Sequence, residues 1–250
     1  MKVVSFNVLC WGSLMHSLIR RKPLVVKMLR KLQPDTFGLQ EAHWDWMSYV
    51  IKNMPEYDYV GVGRDDGKKK GEFSPVFYRK DKSEVLSGDT FWLSETPDTP
   101  SKGWDGACTR VCSYAELRDK ETGRVFIHMN THLDHIGPVA MIEGAKLIGK
   151  RAEQFGDTPI VLTGDFNVTP DSGPYNAIIA AGFTDTARTA PDTDEGITYH
   201  GFEKPGVGAF IDFVFVKNGV KADSYKIIRD KIDSQLPSDH YPVTATVELP

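Results

Sequence analysis

Cysteine is scarce in this chain: three among 250 residues, Cys10, Cys108 and Cys112. An odd number without zinc-type spacing excludes a disulfide framework as the source of stability. Long hydrophobic runs are missing as well. No segment approaches the roughly 20 apolar residues of a membrane-spanning helix. No basic stretch and apolar leader precede the strand-like run that begins at Val3, so the expectation is a cytoplasmic protein without a signal peptide. Positive charge is in slight deficit, with a net charge of −4. That balance weighs against a non-specific grip on nucleic acid, which relies on Lys and Arg meeting phosphates, although it leaves room for a locally basic cleft. Short repeats, low-complexity tracts and dividing linkers are also absent.

What is present is typical of a globular protein: 40% hydrophobic and 26% charged residues. A chain of this length buries a sizeable core, and we expect one domain over 1–250, as a monomer. Strand-like runs occupy residues 2–8, 36–40, 57–62, 74–79, 84–93, 108–117, 124–130, 160–163, 209–216, 221–229 and 241–248. Helical spacing marks 18–32 (with Pro23 as an early turn), 42–54, 138–155 and 172–181. Residues 183–186 read as a strand or turn. Residues 64–71 with Lys68-Lys69-Lys70, 94–106 with Trp104, and 187–208 read as surface loops. Strands outnumber helices, and many carry apolar residues on both faces. One face can pack on a second sheet and the other on helices, which predicts a two-sheet sandwich flanked by helices.

The stretch Ile160–Asn167 organises the rest. An apolar run ends at Gly164 and sets Asp165 and Asn167 two residues apart. Alternation in extended backbone would point both side chains the same way, where they can orient a water and bind an oxyanion. They can equally form an Asx turn that only caps backbone groups. Polar residues recur where other apolar strands end: Asn7, Glu41, His132 and Asp239-His240. Each has a structural alternative as a cap, a helix start or an interior histidine. Asp212, inside Ala209–Val216, is harder to dismiss, because a buried carboxylate needs a partner. His240 and a metal are the candidates.

The blocks Ser5-Phe6-Asn7, Leu39-Gln40-Glu41, Asn130-Thr131-His132, Gly164-Asp165-Phe166-Asn167, Ile211-Asp212-Phe213 and Ser238-Asp239-His240 resemble those of the endonuclease/exonuclease/phosphatase superfamily, in order and across nearly the whole chain. The resemblance implies an α/β fold, a four-layer α/β/β/α sandwich of two mostly antiparallel sheets packed face to face with helices outside. It also implies divalent metal at the sheet mouth and hydrolysis of a phosphate ester. Carried over residue by residue, Glu41 would be the chief metal ligand, with Asn7 and Asp239 beside it. Hard oxygen donors suit Mg²⁺ or Mn²⁺. Asp165 would hold and deprotonate the attacking water, and Asn167 would contact phosphoryl oxygens. His240, oriented by Asp212, would donate to the phosphate. His132, paired with Glu72, would stabilise the phosphate or assist the leaving group, and Arg110 would clamp phosphate oxygens.

Two departures bear on substrate. Phe210 stands where many relatives have Arg or Gln. Leu9 and His132 stand where abasic-site endonucleases have an acidic residue and a tyrosine, so DNA repair fits poorly. Three readings follow. The first is a phosphodiesterase or phosphatase acting on a small-molecule or lipid-derived phosphate ester. The second is a nuclease of RNA or single-stranded DNA, in which Trp11, Trp44, Trp46 or Trp104 could stack bases. The third is a non-catalytic binding module, which should show losses among the metal and acid–base positions; none is seen.

Overall fold

Strand β1 (Lys2–Asn7) shows how one apolar run serves two cores: Val3 faces the space between two sheets, whereas Val4 and Phe6 face helices. The computed structural model describes residues 1–12 and 16–250. After β1 come α1 (Leu18–Leu32), β2 (Thr36–Gln40), α2 (Trp44–Asn53), β3 (Tyr57–Val60), β4 (Val76–Arg79), β5 (Ser83–Trp92), β6 (Val111–Asp119) and β7 (Val125–His132). Then follow α3 (Pro138–Ala152), β8 (Ile160–Asp165), α4 (Gly173–Ala180), β9 (Thr184–Asp185), α5 (Thr186–Thr189), β10 (Asp192–Thr193), β11 (Asp212–Lys217), β12 (Lys221–Ile227) and β13 (Val243–Glu248).

The strands form a 7-stranded sheet, β10-β12-β13-β1-β2-β4-β3, and a 6-stranded sheet, β5-β6-β7-β8-β11-β9. Among the described residues, only β1/β2, β7/β8 and the short β10/β12 pairs are parallel. Helices α1 and α2 cover the first sheet through Val25, Leu29, Trp46 and Met47. Helices α3 and α4 cover the second through Ala145, Ile148, Tyr175 and Ile178. In β8 and β11 the alternation is equally clean: Val161, Val214 and Val216 point between the sheets, and Ile160, Leu162, Phe213 and Phe215 point to the helices. The expected four-layer sandwich is therefore the observed one. No helix among the described residues is long and apolar enough to cross a membrane.

Part of the space between the sheets is polar. His128 is fully buried between the hydroxyls of Thr36 (2.6 Å) and Thr163 (2.9 Å). Burial pushes its imidazole down to about 3, so it stays neutral. Asn130 donates to the carbonyls of Leu39 and Pro75, and its own carbonyl accepts from Gln40 (2.7 Å) and Thr163 (2.9 Å). These bonds tie β7 and β8 to β2 and the approach to β4, and so fix how the two sheets meet.

Helix α1 has the expected bounds, with Pro23 inside it; the hydrogen bond Pro23 forgoes is the one to Ile19, which is 84% exposed where water can replace it. Residues 187–208 are more than a surface loop: they include the end of α5 and β10, and Thr198 and His200 are buried. Thr198 turns inward because its hydroxyl accepts the amides of Ile211 and Asp212, both at 3.1 Å. Phe210 is a packing residue, its ring 4.9 Å from Phe213 and 5.9 Å from Tyr225.

Gly38 in β2 lies against the polar clip. A Cβ there would come within 2.2 Å of Asn130 Oδ1 and 2.5 Å of Thr163 Oγ1. Gly38→Ala should therefore cost about 1–3 kcal/mol, more than the gain of up to about 1 kcal/mol from a stiffer unfolded chain. Chemical denaturation should show a lower midpoint; an unchanged or raised midpoint would mean that the clip yields.

Candidate active site

The parallel pairs β1/β2 and β7/β8 run out at the same edge of the sandwich, and the antiparallel β11 enters there. In register, His132 sits opposite Asp165 on β8, and Asp165 sits opposite Asp212 on β11. A cavity of about 580 Å³ opens at this edge. Glu41, Glu72, Arg110, His132, Asp165, Asn167, Asp239 and His240 all line it. Asn7 and Asp212 are 0% and 1% exposed and stand one layer behind.

Asn7 is a bridge. Its amide nitrogen donates to Glu41 Oε1 (3.0 Å) and Asp165 Oδ2 (2.9 Å), while its carbonyl accepts the Leu9 amide (2.9 Å). Glu41 follows β2 in a left-handed backbone conformation, φ 60°, and its other oxygen accepts the Cys10 amide at 2.9 Å. Burial would raise the Glu41 carboxyl, but His132, the Cys10 amide and Asn7 together hold it below the usual range. Asp239 goes the other way: burial and the charge of Glu41 push it up against the pull of His240. Two carboxylates in mutual repulsion at one cavity are hard-oxygen donors that fit a divalent cation, whereas Asn7, expected beside them as a ligand, turns its amide nitrogen and not its carbonyl towards Glu41.

Asp165 accepts from Asn7 through Oδ2 and from the Asn167 amide through Oδ1 (2.9 Å). The Asx turn is therefore real, and it is what delivers Asn167. Strand β8 ends at Asp165, and Asn167 reaches the cavity through a φ of 53° rather than through strand alternation. Asp165 Oδ2 faces His132 Nε2 at 3.6 Å and His240 Nε2 at 3.8 Å. Burial opposes its charge, yet the two imidazoles and the two hydrogen bonds hold it low. His240 Nδ1 lies 2.9 Å from Asp212 Oδ2. Burial disfavours the imidazolium, but Asp212 and Asp165 outweigh it and raise His240 to about 10. Asp212 itself is raised, by burial and by the charge of Asp165, against the pull of His240. Asp165, Asp212 and His240 have donor atoms close enough to hold a metal, but a protonated His240 has no lone pair to give, and the group is better described as an ion triad.

On the far wall, Glu72 accepts from Arg64 (2.6 Å) and faces Arg110 Nη1 and His132 Nδ1, both at 3.7 Å. Burial opposes its ionisation, but the nearby His132 and the two arginines hold it at about 2. Arg110 reaches His135 Nδ1 at 3.1 Å, and its Nε and Nη1 are buried without a hydrogen-bond partner. Of the tryptophans considered for stacking, Trp11 lines the cavity at 68% exposure. Trp46 is buried and donates to Leu9, and Trp44 carries Lys69 at 4.0 Å. Trp104 is half-buried and does not line the cavity.

Several functional positions had no sequence signal. Asp134 is 2% exposed and accepts the amides of Ala107, Cys108, Ile136 and Gly137. Burial opposes its charge, and those amides with Arg110 bring it to about 2. It buckles together the loops that carry Cys108 and His135. Arg21, 1% exposed, donates to the carbonyls of Val8, Leu9, Trp11 and His16 and so shapes the loop after β1. Tyr199 places its ring 4.9 Å from that of His240. Each acts on backbone or on a ring brought from a distant segment, which no local motif reports.

A sandwich edge that gathers carboxylates, imidazoles and arginines around a cation-ready donor set defines a phosphoester hydrolase. The chain belongs to the Endonuclease/Exonuclease/phosphatase family, whose model matches residues 4–240. An endonuclease/exonuclease/phosphatase from Bacteroides vulgatus is 38% identical, with a TM-score of 0.94 over 100% of this chain and 98% of that one. A mannosyl-6-phosphatase from Bacteroides thetaiotaomicron is 33% identical, with a TM-score of 0.93 over the full length of both. Drosophila melanogaster nocturnin is 28% identical over 64% of this chain, a region that makes up 25% of that protein.

The Asp212–His240 pair generates a prediction about pH. The folded pKa of His240 lies above its unfolded value of about 6.5. Its contribution to stability should be fully present below pH ~6.5 and disappear as pH rises through about 10. NMR titration without added divalent cation should show His240 well above the unfolded value, and lowered in Asp212→Asn. Equal values in the two proteins would uncouple the residues and return Asp212 to a structural role.

Proposed function

We propose that the protein is a Mg²⁺-dependent hydrolase of small phosphate esters, sugar phosphates foremost, in which Asp165 activates the attacking water. The observation that carries this reading is the single cavity that Glu41, Asp239, Asp165, Asn167, His132, His240 and Arg110 line together. Its volume of about 580 Å³ suits a ligand of sugar-phosphate size. The full-length likeness to a mannosyl-6-phosphatase points the same way.

A phosphate ester repels an anionic nucleophile and has a poor leaving group, so catalysis is largely charge placement. Glu41 and Asp239, with Asn7 holding the Glu41 carboxylate in place, would hold the cation, which when bound supplies positive charge to the phosphate oxygens. Arg110, whose Nη1 and Nε face Glu72 and Asp134 at 3.7 and 4.0 Å without a hydrogen bond, would bind phosphate oxygens from the opposite wall. Asp165, held ionised by its two imidazole neighbours, orients the water strongly but is a weak base. It takes the proton only as the new O–P bond forms. His240, kept protonated and aimed by Asp212, donates from Nε2 as negative charge builds on the phosphoryl group. His132, with Glu72 at Nδ1, serves the phosphoryl or leaving oxygen. Asn167 donates one amide hydrogen to Leu133 (3.0 Å) and keeps the other for the substrate.

Exposed Trp11 on the cavity wall favours a second reading, a nuclease that stacks one base on it. A screen with Mg²⁺ present decides between them, using sugar phosphates, bis-p-nitrophenyl phosphate, phosphoinositides, sphingomyelin, and single-stranded RNA and DNA. The expected result is at least about tenfold higher kcat/KM on sugar phosphates than on any other class; the same preference for RNA or DNA would overturn it. Glu41→Gln keeps the shape and removes the charge. It should abolish Mg²⁺ binding by calorimetry and lower turnover by at least about 10²-fold. Unchanged Mg²⁺ binding would move the metal away from Glu41.

A further inference from the structure

Three loops at the catalytic edge also bring together a thiol, an imidazole and a carboxylate that the phosphate chemistry does not use as a set. Cys10 follows β1, His43 precedes α2 and Glu72 precedes β4. One donor atom of each lies within 4.8 Å of the other two. We infer that Cys10, His43 and Glu72 form a site for a borderline transition-metal cation of the zinc type, on the cavity wall and distinct from the hard-oxygen site of Glu41 and Asp239. This inference does not depend on which phosphate ester the enzyme cleaves.

Each donor is available in a way that suits a metal. Glu72 commits Oε2 to Arg64 and turns that oxygen towards Arg110 and His132, whereas Oε1 faces His43 Nε2 at 4.0 Å. A cation at Oε1 therefore leaves the arginine contact in place. His43 begins α2 without a side-chain capping bond, and its ring otherwise meets Trp11, with centroids 5.2 Å apart. Cys10 is 7% exposed. Metal binding exchanges the thiol proton: the S–H bond breaks, the S–metal bond forms and the proton leaves to solvent.

The donor chemistry selects the ion. Sulfur, nitrogen and one carboxylate oxygen are a zinc-type set, whereas Mg²⁺ takes oxygen and retains water. Metal–ligand bonds of about 2.0–2.3 Å place tetrahedral donors about 3.3–3.7 Å apart. The trio must close by about 1 Å, which side-chain rotation allows because His43 is partly exposed. Three protein ligands leave a fourth position open, as in zinc sites that keep one for water or substrate. Occupation would staple three loops and engage the carboxylate that stands between Arg64, Arg110 and His132.

Co²⁺ is the spectroscopic probe, added to the whole protein with Mg²⁺ at saturation so that the oxygen site is filled. The expected result is a thiolate-to-cobalt charge-transfer band in the near ultraviolet, erased by Zn²⁺. The band should be lost in Cys10→Ser and kept in Cys108→Ser. Co²⁺ affinity should fall by at least about tenfold in His43→Ala, whose Mg²⁺-dependent turnover stays at the wild-type level. Thermal melting checks that each variant folds; should Cys10→Ser fail, His43→Ala carries the test. Absence of the band in wild type, its survival in Cys10→Ser, or wild-type affinity in His43→Ala would overturn the assignment.

Discussion

Two buried carboxylates stand opposite each other in antiparallel register, Asp165 on β8 and Asp212 on β11. In a low-dielectric interior neither can keep its charge beside the other unless a cation intervenes. His240 is that cation. It hydrogen-bonds Asp212 and lies 3.8 Å from Asp165, with His132 closing on Asp165 from the other side. The same arrangement that makes the interior tolerable leaves a charged imidazolium aimed into the cavity. Under the proposed mechanism, stability and catalytic readiness rest on one set of contacts here, and a change that neutralises either carboxylate disturbs both.

A second constraint is the way the sheets are clipped. His128, Asn130, Gln40 and the hydroxyls of Ser5, Thr36 and Thr163 form a satisfied polar network between the sheets, with Gly38 small enough to admit Asn130. Apolar packing alone would let two sheets slide, because oily faces have little directional preference. Directional bonds between β2 and β7 resist that, and the edge where Glu41 and His132 meet inherits the precision. Glu41 follows a strand of the first sheet and His132 ends a strand of the second, so the edge that joins them exists only if the sheets keep their register.

Much of this was legible in the chain. A polar residue at the end of an apolar strand is visible from periodicity: Asn7, Glu41, His132 and Asp165 close or follow such strands, and Asp239 precedes one. Asp212 was visible as a carboxylate with no right to be buried alone, and His240 proved to be its partner. Other features were not legible for a physical reason. Asp134 and Arg21 are anchored by backbone amides and carbonyls, groups that every residue has, so no side-chain motif marks their targets. Thr198 sits in a polar, Gly-rich stretch that reads as surface until the strand it caps is placed in space. The orientation of Asn167 came from a left-handed turn, which strand alternation imitates without explaining.

The central claim is that Asp165 activates the water in an otherwise pre-charged cavity, and Asp165→Asn tests it most directly. The substitution keeps the hydrogen bonds' shape and removes the base. Single-turnover measurement of the variant should show the chemical step slowed by at least about 10²-fold with KM changed by no more than a few-fold. A chemical step near the wild-type rate would contradict the account, because the water would then be activated by something other than Asp165.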